Sequence, residues 1–141
     1  MPVKPPSSPT ELQNVRPLRR IHVLVDSADA RYLRVASFLL ERAGFVVAAS
    51  AERETLAQVA KVRPDVVVLD GSDSIGTAVQ VRSAITGTYE DVAVVIVSDE
   101  QRLGKSVRIA SKWDGGDTLV REVERAYLRL SDDESRLLAA D

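Results

Sequence analysis

An apolar strand that ends on a single carboxylate constrains this chain more than any other feature. Residues 63–70 read RPDVVVLD. Pro64 cannot continue a helix and disfavours helical angles in the residue before it. The four consecutive Val and Leu residues that follow are typical of a strand buried on both faces. In parallel α/β sheets ligands bind just beyond the carboxyl ends of such strands. Asp70 is therefore predicted to lie at the functional edge of a sheet.

The composition narrows the class of protein. The chain has 141 residues, of which 45% are hydrophobic and 28% charged, which is enough for one domain with a core. It contains no Cys, which excludes disulfides and thiolate metal sites and leads us to expect a cytoplasmic protein. The net charge of −2 does not favour a nucleic-acid partner. No apolar run approaches the roughly 20 residues of a membrane span, so no membrane association is predicted.

The two ends of the chain differ from its middle. Residues 1–18 are rich in Pro and Ser and are predicted to form a disordered leader. Residues 19–130 are predicted to form the folded domain. Residues 131–141 form an acidic tail, in which Ser131 and Glu134 have the spacing of a capping box and predict a short additional helix.

Strand and helix patterns alternate along residues 21–97. Gly44 is expected to end the first helix as a left-handed cap. Ser50 is expected to cap the second helix, which Pro64 ends, and Ser72 or Asp73 the third. This alternation predicts parallel strands joined by right-handed crossovers, with helices on both faces of the sheet.

The alternation breaks after the fourth strand. Residues 99–105 are too few for a helical crossover to the next strand candidate, residues 106–111, so we expect at most one helical turn there. Asp117 is predicted to open the last helix, which carries an apolar stripe with helical spacing. We call this set the last-helix stripe: Val120, Val123, Tyr127 and Leu130.

Polar residues follow four of the predicted strands. Asp26 and Ser27 follow the first, Asp70 the third, Ser98 the fourth and Lys112 the fifth. Carboxylates at neighbouring strand ends are the oxygen ligands that Mg²⁺ accepts, and a nearby hydroxyl and ammonium would bind phosphoryl oxygens. Because an aspartate can accept a phosphoryl group covalently, this edge is predicted to be a phosphorylatable site.

The chain resembles the receiver domain of two-component response regulators over about residues 20–130. Residues 64–70 resemble the family's phosphoacceptor strand, and residues 39–47 the end of its first helix and its second strand. The resemblance implies a flavodoxin-like, doubly wound five-stranded parallel sheet with order 2-1-3-4-5, here with the fourth helix shortened or missing. It implies a signalling protein, not an enzyme.

The resemblance also implies roles for particular residues. Asp70 would accept a phosphoryl group from a histidine kinase. Mg²⁺ would bind Asp26, Asp70 and the main-chain carbonyl of Ser72. Ser98 would hydrogen-bond a phosphoryl oxygen, and Lys112 would pair with the phosphoryl charge.

Several departures from the family bear on these roles. Ser27 stands where the family has a second acid, so we expect weak Mg²⁺ binding. The loop after Asp70 lacks the family's proline. Trp113 replaces the proline that normally follows the lysine, and we expect a trans peptide bond there because the cis form would cost about 2.5–4 kcal/mol.

Structural roles remain open for most of these residues. Asp26 and Ser98 could simply cap helices, and Lys112 could be an exposed charge. The alternative function is a phosphorylation-independent pseudo-receiver that acts as a protein-interaction module. A small flavodoxin-like enzyme or ligand-binding domain lacks a supporting motif.

The shortened crossover predicts an interface. With no full helix there, Leu103, Trp113 and the last-helix stripe would be left exposed, and exposed apolar patches mark interaction surfaces. We expect this face, built from the fifth strand and the last helix, to form a homodimer or to dock a partner, with Leu137 and Leu138 of the tail laid across it.

Overall fold

A five-stranded parallel sheet with helices on both faces forms the body of the protein. The computed structural model describes residues 20–51, 54–99, 109–113 and 116–140, with the backbone alone for residues 116 and 131–140. The strands are β1 (His22–Asp26), β2 (Val46–Ser50), β3 (Val66–Asp70), β4 (Ala93–Ser98) and β5 (Ile109–Ser111). The helices in the described ranges are α1 (Ala30–Arg42), α2 (Thr55–Val62), α3 (Ile75–Thr88) and α4 (Gly116–Ala140).

The sheet order is β2-β1-β3-β4-β5 with every pair parallel, as predicted. Alternate residues of the central strands point to opposite faces. On one face they pack under α1 and α4 in a core that includes Val25, Val68 and Val123. On the other face they pack under α2 and α3 in a core that includes Leu24, Val67 and Ile85. The doubly wound architecture is therefore confirmed.

The central strand is buried as its composition indicates. Val66, Val67 and Val68 have no exposed surface, and Leu69 is 3% exposed. Helix α2 ends before Pro64 with Arg63 in the left-handed region, at φ 53°, where its N–H donates to the carbonyl of Val59 over 2.9 Å. The proline thus stops the helix and the strand starts two residues later.

The predicted caps are right for α1 and wrong for α2 and α3. Gly44 has a φ of 102° and follows the end of α1, as expected. Ser50 is instead the buried last residue of β2, and the N-cap of α2 is Glu54 with no side-chain cap bond. The hydroxyl of Ser74, not a side chain at 72 or 73, accepts from the Thr77 N–H and caps α3. The loop that precedes each of these two helices is therefore longer than we expected.

The last helix differs from the sequence prediction in length and in packing. It begins at Gly116 and continues without a break through Ser131 to Ala140, so the tail does not start a separate helix. In the last-helix stripe, Val123 is fully buried, and Val120, Tyr127 and Leu130 are partly buried against the same core. The prediction that this stripe is exposed is wrong, because α4 turns it onto the sheet.

Some sequence predictions fall outside the described residues. These are the leader, the shortened crossover with Leu103, and the first part of the fifth strand at 106–108. The peptide bond before Trp113 is trans, as expected. Within the described ranges, no helix is both long enough and apolar enough to cross a membrane.

Candidate functional site

The carboxyl ends of β1, β3 and β5 bring four donors onto the carboxylate of Asp70. Its Oδ2 accepts from the hydroxyl of Ser27 at 2.6 Å and lies 2.7 Å from the Nζ of Lys112. Its Oδ1 accepts from the backbone N–H of Ser72 at 3.0 Å and from the Ser72 hydroxyl at 2.6 Å. The Asp70 side chain is 7% exposed. Both carboxylate oxygens therefore already contact hydrogen-bond donors of the protein, and the side chain is almost completely shielded from solvent.

Lys112 is a site residue and not an exposed charge. Its side chain is 3% exposed. The Nζ lies 3.3 Å from Asp29 Oδ2 and 3.3 Å from the Ser72 hydroxyl, in addition to its contact with Asp70. The backbone places it there, because the Lys112 N–H donates to the carbonyl of Ser98 at 2.9 Å and extends the β4–β5 pairing by one residue. The predicted proximity of Asp70 and Lys112 is present in the structure.

The donors around Asp70 determine its charge state. Burial alone would raise the pKa of this carboxyl, but hydrogen bonds from Lys112, Ser27 and Ser72 outweigh burial and hold the pKa below its ordinary value. Burial likewise acts to lower the pKa of Lys112, and the hydrogen bond and charge of Asp70 reverse the effect and raise it. At neutral pH the site therefore contains a carboxylate and an ammonium in direct contact.

Asp29 joins the site from the start of α1. Its Oδ1 accepts from the backbone N–H groups of Arg31 and Tyr32 and caps the helix, while Oδ2 faces Lys112. The backbone hydrogen bond from Tyr32 contributes most to a lowered pKa of Asp29. Asp29, and not Asp26, is thus the N-cap of α1, and it also makes an ionic contact with Lys112.

Asp26 and Ser98 occupy the same edge, and both are buried. The Oδ2 of Asp26 accepts from the hydroxyl of Thr55, the first residue of α2. Ser98 ends β4 and is 1% exposed, and its carbonyl holds the Lys112 backbone. Roles of Asp26 toward a metal and of Ser98 toward a phosphoryl group stay predictions.

Sequence reasoning missed several contacts at this edge. Ser27, Asp29, Tyr32 and Thr55 all reach the site, although we predicted no contact to Asp26, Asp70 or Lys112 for any of them. An Asp three residues after a strand-ending acid is a helix-cap signal. Its pairing with a lysine 83 positions later depends on the tertiary fold and leaves no local trace.

The contacts present at this edge do not favour the Mg²⁺ site that the resemblance implies. The ion requires a near-octahedral shell of oxygen ligands at about 2.0–2.1 Å. Within the described ranges, no three Asp, Glu, His or Cys side chains group so as to hold a metal. The Oδ2 of Asp26 is engaged by Thr55, and the Oδ2 of Asp70 by an ammonium. We therefore derive no step that passes through a metal.

Comparison with known proteins supports the fold. No family model and no curated protein matches the sequence. Among solved structures, chemotaxis protein CheY4 of Vibrio cholerae is similar with a TM-score of 0.66 and 21% identity, over 76% of this chain and 98% of that one. A response regulator from Thermotoga maritima gives a TM-score of 0.66 and 18% identity, over 77% and 98%.

A third structure agrees with these two. The signal receiver domain of the response regulator NarL from Mycobacterium tuberculosis gives a TM-score of 0.62 and 18% identity, over 77% of this chain and 96% of that one. In each case almost the whole of the known receiver structure is matched. The chain therefore has the receiver fold of response regulators, with Asp70 at the carboxyl end of its central strand.

Proposed function

We propose that this chain is a two-component signalling receiver in which Asp70 accepts a phosphoryl group from a histidine kinase and passes the signal on through protein–protein contacts. The observation that carries the proposal is the ion pair at the carboxyl edge. Asp70 is held ionised 2.7 Å from the buried ammonium of Lys112. An ionised carboxylate is a nucleophile, and a fixed cation beside it can stabilise the charge of a transferring phosphoryl group. Because its kinase partner would supply the phosphoryl group inside the cell, we expect a cytoplasmic location.

The proposed step is an in-line displacement at phosphorus. A carboxylate oxygen of Asp70 forms a bond to phosphorus while the P–N bond of the kinase phosphohistidine breaks, and the imidazole leaves with the bonding electron pair. Because both oxygens accept hydrogen bonds from hydroxyl groups, one hydroxyl must rotate to free a lone pair. Lys112 would then pair with the phosphoryl oxygens, and the hydroxyl of Ser98 would hydrogen-bond one of them.

A specific observation favours a second candidate, the phosphorylation-independent pseudo-receiver. Four protein donors already engage the Asp70 carboxylate, and its side chain is 7% exposed. The hydroxyl of Ser27 stands where the family has a second acid. In this case the Asp70 carboxylate, paired with Lys112, has a structural role, and the domain binds its partner constitutively, without phosphorylation.

Acetyl phosphate separates the two candidates. If Asp70 is an acceptor, incubation of the full chain with acetyl phosphate adds one phosphoryl group by intact-mass spectrometry, and neutral hydroxylamine removes it as expected for an acyl phosphate. Asp70→Asn should abolish the adduct, whereas Asp73→Asn, a matched control in the same loop, should retain it. An adduct that survives in Asp70→Asn contradicts the proposal, because another residue is then the acceptor. No adduct on a folded wild type, with or without Mg²⁺, contradicts the proposal and favours the pseudo-receiver.

A further inference from the structure

Lys112 is enclosed by polar groups from three parts of the fold. Its ammonium lies 2.7 Å from Asp70 Oδ2 at the end of β3 and 3.3 Å from Asp29 Oδ2 at the start of α1. The hydroxyl of Ser72, in the loop after β3, is 3.3 Å away. The positively charged ammonium therefore lies between two negatively charged carboxylates. The Ser72 hydroxyl is the third polar group around it.

Two aromatic rings form the remaining walls. The Nζ of Lys112 lies 5.1 Å from the ring centroid of Tyr32 and 5.7 Å from that of Trp113, within the range of cation–π attraction. The two rings meet edge to face at 5.3 Å, and Tyr32 is 1% exposed. The guanidinium of Arg31 covers the Trp113 ring at 5.6 Å. Carboxylates and aromatic faces together form a binding site for one cation, which the chain fills with its own side chain.

A divalent ion at Asp70 would compete with this arrangement. Mg²⁺ bound to Asp70 Oδ2 would lie about 2.0–2.1 Å from that oxygen. This oxygen already accepts a hydrogen bond from the Ser27 hydroxyl at 2.6 Å and lies 2.7 Å from the Lys112 ammonium, so an ion bound to it would have to displace one of these two groups and would lie close to a positive charge. Ser27 stands where the family has a second acid. Its hydroxyl is neutral, so the site lacks a further negative charge that could hold Mg²⁺ in addition to the Lys112 ammonium.

We propose that the Lys112 ammonium, held between Asp29 and Asp70, is the resident cation of this site and that the site functions without a divalent metal. Tyr32 and Trp113 act as positioning residues that keep the ammonium there. The part of this inference that concerns chemistry depends on the proposed function: if Asp70 accepts a phosphoryl group, the reaction does not require Mg²⁺. The part that concerns cation binding stands on its own.

A metal titration tests the cation-binding part. Mn²⁺, whose free form is counted by electron paramagnetic resonance, is titrated into the wild type, Lys112→Met and Lys61→Met. The last variant removes the same charge from an exposed site on α2. We expect Lys112→Met to bind Mn²⁺ at least roughly tenfold more tightly than the other two, because loss of the ammonium leaves two carboxylates to attract a cation. Equal binding by all three proteins, or tight binding by the wild type, overturns the inference.

A second measurement does not depend on Lys112→Met being folded. Wild-type labelling by acetyl phosphate is compared in Mg²⁺ and in a chelator, and we expect rates that agree within about a factor of two, since the charge is already supplied by Lys112. Labelling that occurs only with Mg²⁺ overturns the inference but leaves the proposed function intact. If the wild type is not labelled at all, the proposed function fails, and the Mn²⁺ titration still decides whether Lys112 is the resident cation.

Discussion

At the scale of single residues, the hydrogen-bond donors around Asp70 determine the pKa of its carboxyl group. Ser27, Ser72 and Lys112 stabilise the ionised form of its carboxyl more than burial destabilises it. The folded protein therefore holds the Asp70 proton less tightly than the unfolded chain does. The stabilisation is present above the ordinary pKa of 3.8 and is lost as the pH falls through the lower folded value.

This sign predicts the acid behaviour of Asp70→Asn. The difference in unfolding free energy between the wild type and the variant should be constant near neutral pH and should shrink below about pH 4, as the wild-type advantage is lost. Asp29 also has a lowered pKa, but it is present in both proteins and its contribution largely cancels. Urea unfolding followed by circular dichroism at a series of pH values measures the difference. A difference that stays constant down to about pH 2.5 would refute this account.

The space around Gly71 is tight for any larger residue. A Cβ added there would lie 3.1 Å from Ile75 Cδ1, and 3.3 Å from both Ala78 Cβ and Ile96 Cγ2. The residue also directly follows Asp70, and its N–H donates to the carbonyl of Val97 over 2.7 Å. Close packing at this point thus fixes the chain immediately after Asp70.

Gly71→Ala should therefore lower the free energy of unfolding by about 1–3 kcal/mol, the usual cost of overpacking. Gly87→Ala is the matched control, because an added Cβ in α3 meets nothing within 4 Å. That variant should be more stable than the wild type by about 0.5–1 kcal/mol, since alanine favours a helix interior. Chemical denaturation of both variants provides the measurement. The same sign of effect in both would contradict the packing argument.

At the scale of elements, the contacts of α4 with the sheet include side chains between Leu119 and Leu130. The helical backbone continues to Ala140. A helical segment as short as residues 131–140 is marginal in water by itself. We therefore expect the part of α4 up to Leu130 to supply most of the stability that the helix gives the domain.

Deletion of residues 131–141 tests this division of α4. We expect the shortened protein to unfold within about 1 kcal/mol of the full chain. A chain that ends at Ala126 also lacks Tyr127 and Leu130, and should lose about 2–4 kcal/mol through lost apolar burial. Thermal and urea unfolding of the three proteins gives the comparison. If removal of 131–141 is as costly as the longer deletion, these residues have a structural role.

The elements were predictable where the signal is local. Pro64 ends α2, Gly44 takes the left-handed cap after α1, and the valine run before Asp70 forms the buried strand. The α2 and α3 caps were not predicted correctly, because several residues near each start can cap a helix and tertiary packing selects among them. At Ser50 the hydrogen-bonded register with β1 keeps the residue in the sheet.

Over the whole molecule, the sheet order follows from the alternation of elements and the family resemblance, and the order predicts the pairing of Asp70 with Lys112. The enclosure around Lys112 could not be predicted in the same way. Its walls come from Asp29, Tyr32 and Trp113, whose positions depend on how α1 packs against the end of β5. Local sequence patterns carry no information about such contacts.

Helix α4 also gives the molecule a lever arm. Its 25 residues span about 37 Å, roughly twice the length of a five-residue strand. The ten residues beyond Leu130 account for about 15 Å, so a tilt of the helix by about 10° at Leu130 would move Ala140 by roughly 3 Å. A rearrangement at the sheet too small to disturb its packing would be amplified at the far end of this helix.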